Sequence, residues 1–256
     1  MRPLLAFLKK EWTGQLRGVR VIILGAIFLL LGIMNPAVAK LTPLLMEALS
    51  DTLAQSGLVI DTVTVSALDS WVQFFKNIPM GLIAFVFMES DIFTREYTSG
   101  TLVLALTKGL KRSNVVIAKS TLLITLWSVC YWLNYAVTFF GNTLFWDNAV
   151  AQNLLFSAVC YWIFGLWIIA LCVLFSTLGR SYIIVLLGIG APVFLCSILS
   201  VFPRISEWLP LMLTDGNSLI YGLKTPGDYA AALAVTLVMI VGFFAASIPL
   251  LNKKQL

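Results

Sequence analysis

The residues best suited to chemistry in this chain crowd into one stretch between Glu89 and Lys119. Glu89, Asp91, Arg95, Glu96, Tyr97, Thr98, Ser99, Thr101, Lys108, Lys111, Arg112 and Lys119 lie there, with Gly100 and Gly109 among them. The pattern is not that of a metalloenzyme or an acid–base catalyst. The sequence has no histidine, so the usual proton switch and the commonest metal ligand are both missing. Cys130, Cys160, Cys172 and Cys196 fall inside apolar runs without metal-like spacing, and read as small buried hydrophobes. A phosphate-binding loop needs Gly-x-x-x-x-Gly-Lys-Ser/Thr. Gly100 is followed five residues later by Ala105, and Lys119-Ser120 has no glycines at the required spacing. No catalytic residue, metal site or cofactor is expected on this chain, and no nucleic-acid partner.

What the stretch does offer is a docking surface. Leu102, Leu104, Leu106 and Leu110 give a short apolar face, Thr98 or Ser99 can cap a short helix, and Arg95 with Glu96 adds a charged pair. Such a helix is too short to cross a bilayer, so its apolar face calls for a partner protein.

The elements that position this loop follow from composition. Of 256 residues, 60% are hydrophobic and 11% charged, and the mean hydropathy is +0.95. A soluble domain is nearer 45–50% apolar and about 25% charged. The excess apolar surface must face lipid. About 20 helical residues cross about 30 Å of hydrocarbon, and six runs suffice, at about 21–39, 71–88, 115–140, 149–178, 182–202 and 229–251. The expected fold is therefore an all-α integral membrane protein with a single transmembrane domain. Placing the N-terminus inside puts 13 of the 17 basic residues on the inner side, leaving only Lys40, Lys76, Arg204 and Lys224 outside. Eight of the 12 acids then lie outside, so both termini are expected in the cytoplasm. Ala37-Val38-Ala39 after the first run resembles a signal-peptide cleavage site, but the twenty-residue patterned leader favours a retained span.

Three further segments are not spans. Residues 1–20 carry Leu4, Leu5, Leu8, Trp12, Leu16 and Val19 at helical spacing, with Lys9, Lys10, Thr13 and Arg17 off the stripe. A basic amphipathic helix of this kind should lie flat on the inner membrane surface, its stripe in lipid or against the second span. Residues 40–70 combine a helical stripe (Leu41, Leu44, Leu45, Ala48, Leu49, Leu53) with a strand-like alternation at 59–65, and read as an outer cap or a spacer. In residues 203–228, Pro203, Pro210, Gly216, Gly222 and Pro226 interrupt an apolar stretch. A short re-entrant helix pair before the last span fits them.

The charged loop and this layout together resemble the type-2 ABC exporter permeases. The family hallmark is a Glu, three variable residues, Gly-Thr-Leu, a Leu-rich turn, a Pro, an Arg, and a Lys opening the third span. Here Glu96, Gly100-Thr101-Leu102, Leu104, Leu106, Arg112 and Lys119 stand in register, with Gly109 where the Pro is common. The resemblance covers the whole chain. It implies a permease without an ATPase of its own, docked through a cytoplasmic coupling helix on a separate ATPase subunit that binds ATP and Mg. Two permeases, here a homodimer or a pair with a similar chain, and two ATPases make the working unit. Arg95, Glu96, Tyr97, Gly100, Thr101, Leu102 and Leu106 are then the ATPase-coupling residues. The fifth span would lie near the dimer axis.

Other residues carry expectations from their own chemistry. Glu89 and Asp91 end the second span and need partners, for which Lys9, Lys10 and Arg17 of the surface helix are candidates. Tyr131, Asn134 and Tyr135 sit deep in the third span, and Gly188, Gly190 and Pro192 mark the fifth. Both groups serve either helix packing or the pathway. With few polar residues inside the spans, the substrate expected of an exporter is hydrophobic or amphipathic, such as a peptide or peptide toxin, a drug or a lipid-like molecule. The setting is a bacterial plasma membrane. Two other readings compete: a membrane anchor for a partner ATPase without a pathway, and an integral-membrane enzyme, which the absence of His and the scarcity of inner acids disfavour.

Overall fold

The structure is a computed structural model that describes residues 2–55, 64–98, 100, 107, 109–179 and 181–253. Its helices are α1 (Arg2–Leu16), α2 (Val19–Gln55), α3 (Ala67–Glu89), α4 (Thr94–Thr98), α5 (Arg112–Thr143), α6 (Leu154–Leu178), α7 (Tyr182–Leu199), α8 (Pro203–Ser206), α9 (Gly216–Ile220) and α10 (Ala230–Lys253), with no strand among the described residues. Six of them, α2, α3, α5, α6, α7 and α10, are long and apolar enough to cross a membrane. The expected all-α, six-span architecture holds. The end of the bundle carrying α1, the C-terminus of α3 and the start of α5 is called the near end below.

Several boundaries differ for physical reasons. The first helix does not stop near 39 but runs on to Gln55, so residues 40–55 belong to the same rod as the first span. That stretch is rich in Leu, which favours helix, and lacks glycine, and the helix accommodates Pro43 within it. Of the alternation at 59–65, residues 59–63 lie outside the described residues, while Thr64 and Val65 are irregular chain leading to the Ser66 capping box of α3. The fourth span starts at Leu154 because Asn148–Val150 forms a separate 3-10 turn capped by Asp147. In place of a helix pair, residues 203–229 form four short turns: α8, a 3-10 turn at Pro210–Thr214, α9, and a 3-10 turn at Pro226–Tyr229. These are anchored by buried Leu213, Leu219, Ile220 and Tyr229, by the Tyr229 hydroxyl donating to the Asp215 carbonyl (2.7 Å) and by a Lys224–Asp215 ion pair (2.9 Å).

The core lies between α3, α5 and α6. Trp71, Phe74, Phe85, Trp127, Tyr131, Tyr161 and Trp167 are all buried, mostly in edge-to-face or tilted contacts with ring centroids 5–6 Å apart, each adding about 0.5–1.5 kcal/mol beyond area burial. Some of their polar atoms find partners, as Trp71 Nε1 donates to Asn148 Oδ1 (2.9 Å) and Tyr131 Oη to the Ala158 carbonyl (2.7 Å), while Trp167 Nε1 is buried without one among the described residues. The peripheral α7 and α10 have only 17% of their most apolar stretch buried, against 61% and 67% for α5 and α6. So α5 and α6 are the axis about which the other spans are arranged. All four cysteines are free and buried.

The contact of α2 with α5 shows how proline and small residues serve a membrane bundle. Pro36 has no amide hydrogen, so the Gly32 carbonyl one turn back loses its helical donor. The Thr138 hydroxyl on α5 donates to that carbonyl (3.2 Å) and accepts from Asn35 (2.9 Å), which in turn accepts from Asn77 (2.9 Å). A side chain at position 32 would meet Val137 Cβ at 2.9 Å and the Asn134 carbonyl at 3.1 Å. Gly32→Leu should therefore lower the thermal midpoint in detergent, by roughly 1–3 kcal/mol of overpacking, or prevent a monodisperse peak. Gly25→Leu, where the added Cβ has nothing within 4 Å, should leave both measurements unchanged.

Candidate functional site

At the near end, α3 runs into a turn at 90–93 and then α4. This places Glu89, Asp91 and Glu96 under the α1–α2 corner formed at Arg17-Gly18. Helix α1 presents Phe7 inward, with Leu4, Leu8 and Trp12 packed beside it, while Leu5 and Leu16 point away. It rests chiefly on α5, and not on the second span, one of the two places, with lipid, expected for its stripe. Two turns into α5, Lys119 is inserted beneath α1, its side chain only 2% exposed.

The Lys119 ammonium donates to Glu11 Oε2 (3.2 Å) and the Ile92 carbonyl (2.8 Å), and forms an ion pair with Glu96 Oε2 (3.1 Å) that falls outside hydrogen-bond geometry. The Phe93 ring lies 5.4 Å away. Lys10 closes the group from the solvent side, 3.1 Å from Glu11 and 3.2 Å from Glu96. Two cations thus alternate with two anions. Burial pushes the Glu11 carboxyl up, but the neighbouring Lys119 and Lys10 ammonium groups more than offset this and hold it below its ordinary 4.5. Burial lowers Lys10, yet its contacts with Glu11 and Glu96 leave it raised above 10.5.

A second link lies alongside. Arg20, at the start of α2, makes a fork-to-fork pair with Asp91 (2.6 and 2.9 Å) and donates to the Met88 carbonyl (2.8 Å). Gln15 donates to Glu89 (2.6 Å). On the other flank, Arg112 donates to the carbonyls of Leu251 and Asn252 (2.7 and 3.0 Å), closing the C-terminal end of α10 onto the start of α5.

The partners therefore differ from those expected. Glu89 and Asp91 are held by Gln15 and Arg20, while among the described residues Lys9 and Arg17 reach neither. The reason is the tight turn at Gly18, which aims Gln15 and Arg20 at α3 and leaves Lys9 and Arg17 exposed. Lys10 does join the cluster, through Glu11 and Glu96. The backbone of Arg95, Glu96 and Tyr97 forms α4. Thr101, Leu102 and Leu106, with most of the expected coupling helix, lie outside the described residues. Gly100 has φ +67, a turn conformation that favours glycine, with nothing within 4 Å of an added Cβ among the described residues. Gly109 has φ +86, which proline cannot adopt, so its departure from the family pattern goes with a different backbone. Glu11, Gln15, Arg20 and Lys119 were not singled out as ion-pairing residues. A signal existed: Glu11 is the only acid in the first 46 residues, and Lys119 stands alone in an apolar run.

Within the bundle, the structure separates packing from open space. Asn134 donates to the Phe28 carbonyl (2.9 Å), and Tyr131 and Tyr135 sit in the aromatic core. Gly188 lies against Phe175, whose ring an added Cβ would meet at 2.2 Å. These are packing residues. Gly190, in contrast, borders a cavity of about 470 Å³ between α3, α6 and α7, lined by Ile83, Phe87, Phe164, Ile189 and Val193 and by few polar groups, Thr214 among them.

The sequence profile described as "ABC-2 family transporter protein" matches residues 5–201, well over half of the chain. The chain belongs to the ABC-2 transporter family. It is a multi-pass transmembrane component of a transporter, a family role that implies no catalysis by this subunit and an ABC ATPase as partner. No curated protein matches this ABC-2 family chain.

Removing one member of a buried ion pair costs about 3–5 kcal/mol. Lys119→Met should therefore lower the thermal midpoint of the purified ABC-2 chain sharply, and Lys119→Met with Glu11→Gln should recover part of the loss. The depressed Glu11 carboxyl contributes stability that is complete above its ordinary value of 4.5 and lost as pH falls through its lower folded value. The melting temperature of wild type should fall more steeply below pH 4.5 than that of Glu11→Gln.

Proposed function

We propose that this chain is the permease subunit of an ATP-driven exporter. It works as a homodimer with two ATPase subunits that carry ATP and Mg, in a bacterial plasma membrane, with both termini in the cytoplasm. The observation that carries the reading is Lys119. It joins α4, which leads into the Gly-Thr-Leu segment, to α5 and to α1, while Arg20 joins the same turn to α2. A push on Arg95 and Glu96 by a closing ATPase would reach three spans through Lys119 and Arg20. Arg95, Glu96, Tyr97, Gly100, Thr101, Leu102 and Leu106 form the coupling surface in this account, and α1 lies along the inner leaflet.

The apolar cavity beside Gly190 supports a pathway for a hydrophobic or amphipathic substrate, an amphipathic peptide or peptide toxin by preference, with drugs and lipid-like molecules as the alternatives. The exposed Leu187, Phe194, Leu195 and Ile198 on α7 supply the apolar face that a second copy would cover. An anchor subunit without a pathway would leave that cavity unused.

The test is ATP hydrolysis in reconstituted membranes beside a pull-down of the ATPase subunit. Leu102→Asp should leave the permease inserted and monodisperse but remove substrate-dependent hydrolysis and weaken the pull-down, since a central interface residue is worth about 2 kcal/mol or more. Asp61→Ala, on the opposite side of the membrane, should be nearly silent. Wild-type coupling in Leu102→Asp would place the docking surface elsewhere. Hydrolysis that no candidate substrate stimulates in wild type would favour the anchor reading.

A further inference from the structure

The end of the bundle opposite the Lys119 cluster holds a second groove, on the lipid-facing side between α2 and α5. It encloses about 520 Å³. Ile33, Ala37 and Leu41 form one wall, and Val137 and Leu144 the other. The helices close behind it where Gly141 meets Pro36; a Cβ on Gly141 would stand 2.9 Å from the proline ring. Ile33, Leu41 and Leu144 are half or more exposed, so no other part of the chain fills this space among the described residues.

One cation stands at the head of the groove. Lys40 holds its ammonium over the Phe145 ring (5.0 Å) and near the Trp146 ring (5.9 Å). On one helix, the twenty residues from Arg20 to Lys40 rise about 30 Å, which is the thickness of the hydrocarbon layer. Arg20 is bound to Asp91 at the near boundary, so Lys40 falls at the opposite one, at headgroup level, with the aromatic pair that suits that depth. The groove below it is hydrocarbon-deep and almost wholly apolar.

We propose that this groove is a binding site for one phospholipid of net negative headgroup. An acyl chain lies between Ile33, Ala37, Val137 and Leu144, and the phosphate pairs with Lys40. A groove that opens sideways into a bilayer is filled by acyl chain, because nothing else there is apolar and abundant. The headgroup is selected by charge: a zwitterionic head would bring an ammonium beside the Lys40 ammonium, whereas an anionic head brings none. The lipid would brace α2 against α5 at the end where no ion-pair cluster joins them among the described residues. The proposal depends on the membrane setting of the chain and not on its transport role.

Native mass spectrometry of the purified full chain, titrated with phosphatidylglycerol or phosphatidylcholine of matched chains, tests this. Wild type should retain one phosphatidylglycerol in preference to phosphatidylcholine. Lys40→Ala should weaken that adduct about fivefold, the effect of one basic residue at a membrane surface, without changing phosphatidylcholine retention. Lys40→Arg should keep the preference. Ala37→Trp, which fills the groove and leaves the charge, should lose the adduct of either lipid. Excess glycerol phosphate should not displace the lipid. Equal retention of the two lipids by wild type, an undiminished adduct in Lys40→Ala, or displacement by glycerol phosphate alone would each overturn the proposal.

Discussion

An ammonium group buried at the end of a helical bundle needs close polar partners, and Lys119 finds them in hydrogen bonds to Glu11 and the Ile92 carbonyl and in an ion pair with Glu96. Each partner belongs to a different local segment: α1, α4, and the turn that follows α3. Burying such a charge without full compensation would cost several kcal/mol, so the segments have to arrive together. Lys10 supplies the fourth charge and makes the cluster neutral. The near end of the molecule is arranged around this requirement. Helix α1 lies where it does because Glu11 must reach Lys119, and α4 turns back beneath α1 because Glu96 must do the same.

The remainder of the bundle is held differently. In the core, aromatic rings pack on one another, and buried amides and hydroxyls bond to carbonyls of facing helices, as Asn134 does to Phe28 and Thr138 to Gly32. Toward the periphery these devices thin out. Helices α7 and α10 show mainly apolar side chains to the outside, and the cavity near Gly190 opens where α7 draws away from α3 and α6. A rigid charged end joined to looser outer spans is a mechanical arrangement suited to a transporter component.

Much of this was legible in the residues. Apolar runs of about twenty residues are an unambiguous length signal, and the count of six spans and the all-helical class follow from them. The packing role of Asn134 was also open to reasoning, because an amide in hydrocarbon needs a partner. What could not be read was geometry set at a distance. The helix continues past Lys40 to Gln55 straight through Pro43, where a sequence reading expects a break, because the proline is carried within one long apolar rod. The choice of Arg20 over Lys9 or Arg17 as the partner of Asp91 depends on the direction the chain takes at Gly18. That direction is fixed by tertiary contacts of α1 with α5. Glu11 was overlooked because one acid within a basic stripe reads as solvated surface. Only the burial of Lys119 turns it into half of an ion pair.

The central claim is that Glu96 and Lys119 act as one mechanical joint between the ATPase-facing segment and the spans. A double-mutant cycle on substrate-stimulated ATP hydrolysis in reconstituted membranes, with Glu96→Gln, Lys119→Met and the pair, tests it most directly. If the joint is real, the two single variants lose coupling to a similar degree and the double variant loses no more than either alone. Losses that multiply in the double variant would show that the two residues act independently and would contradict the account.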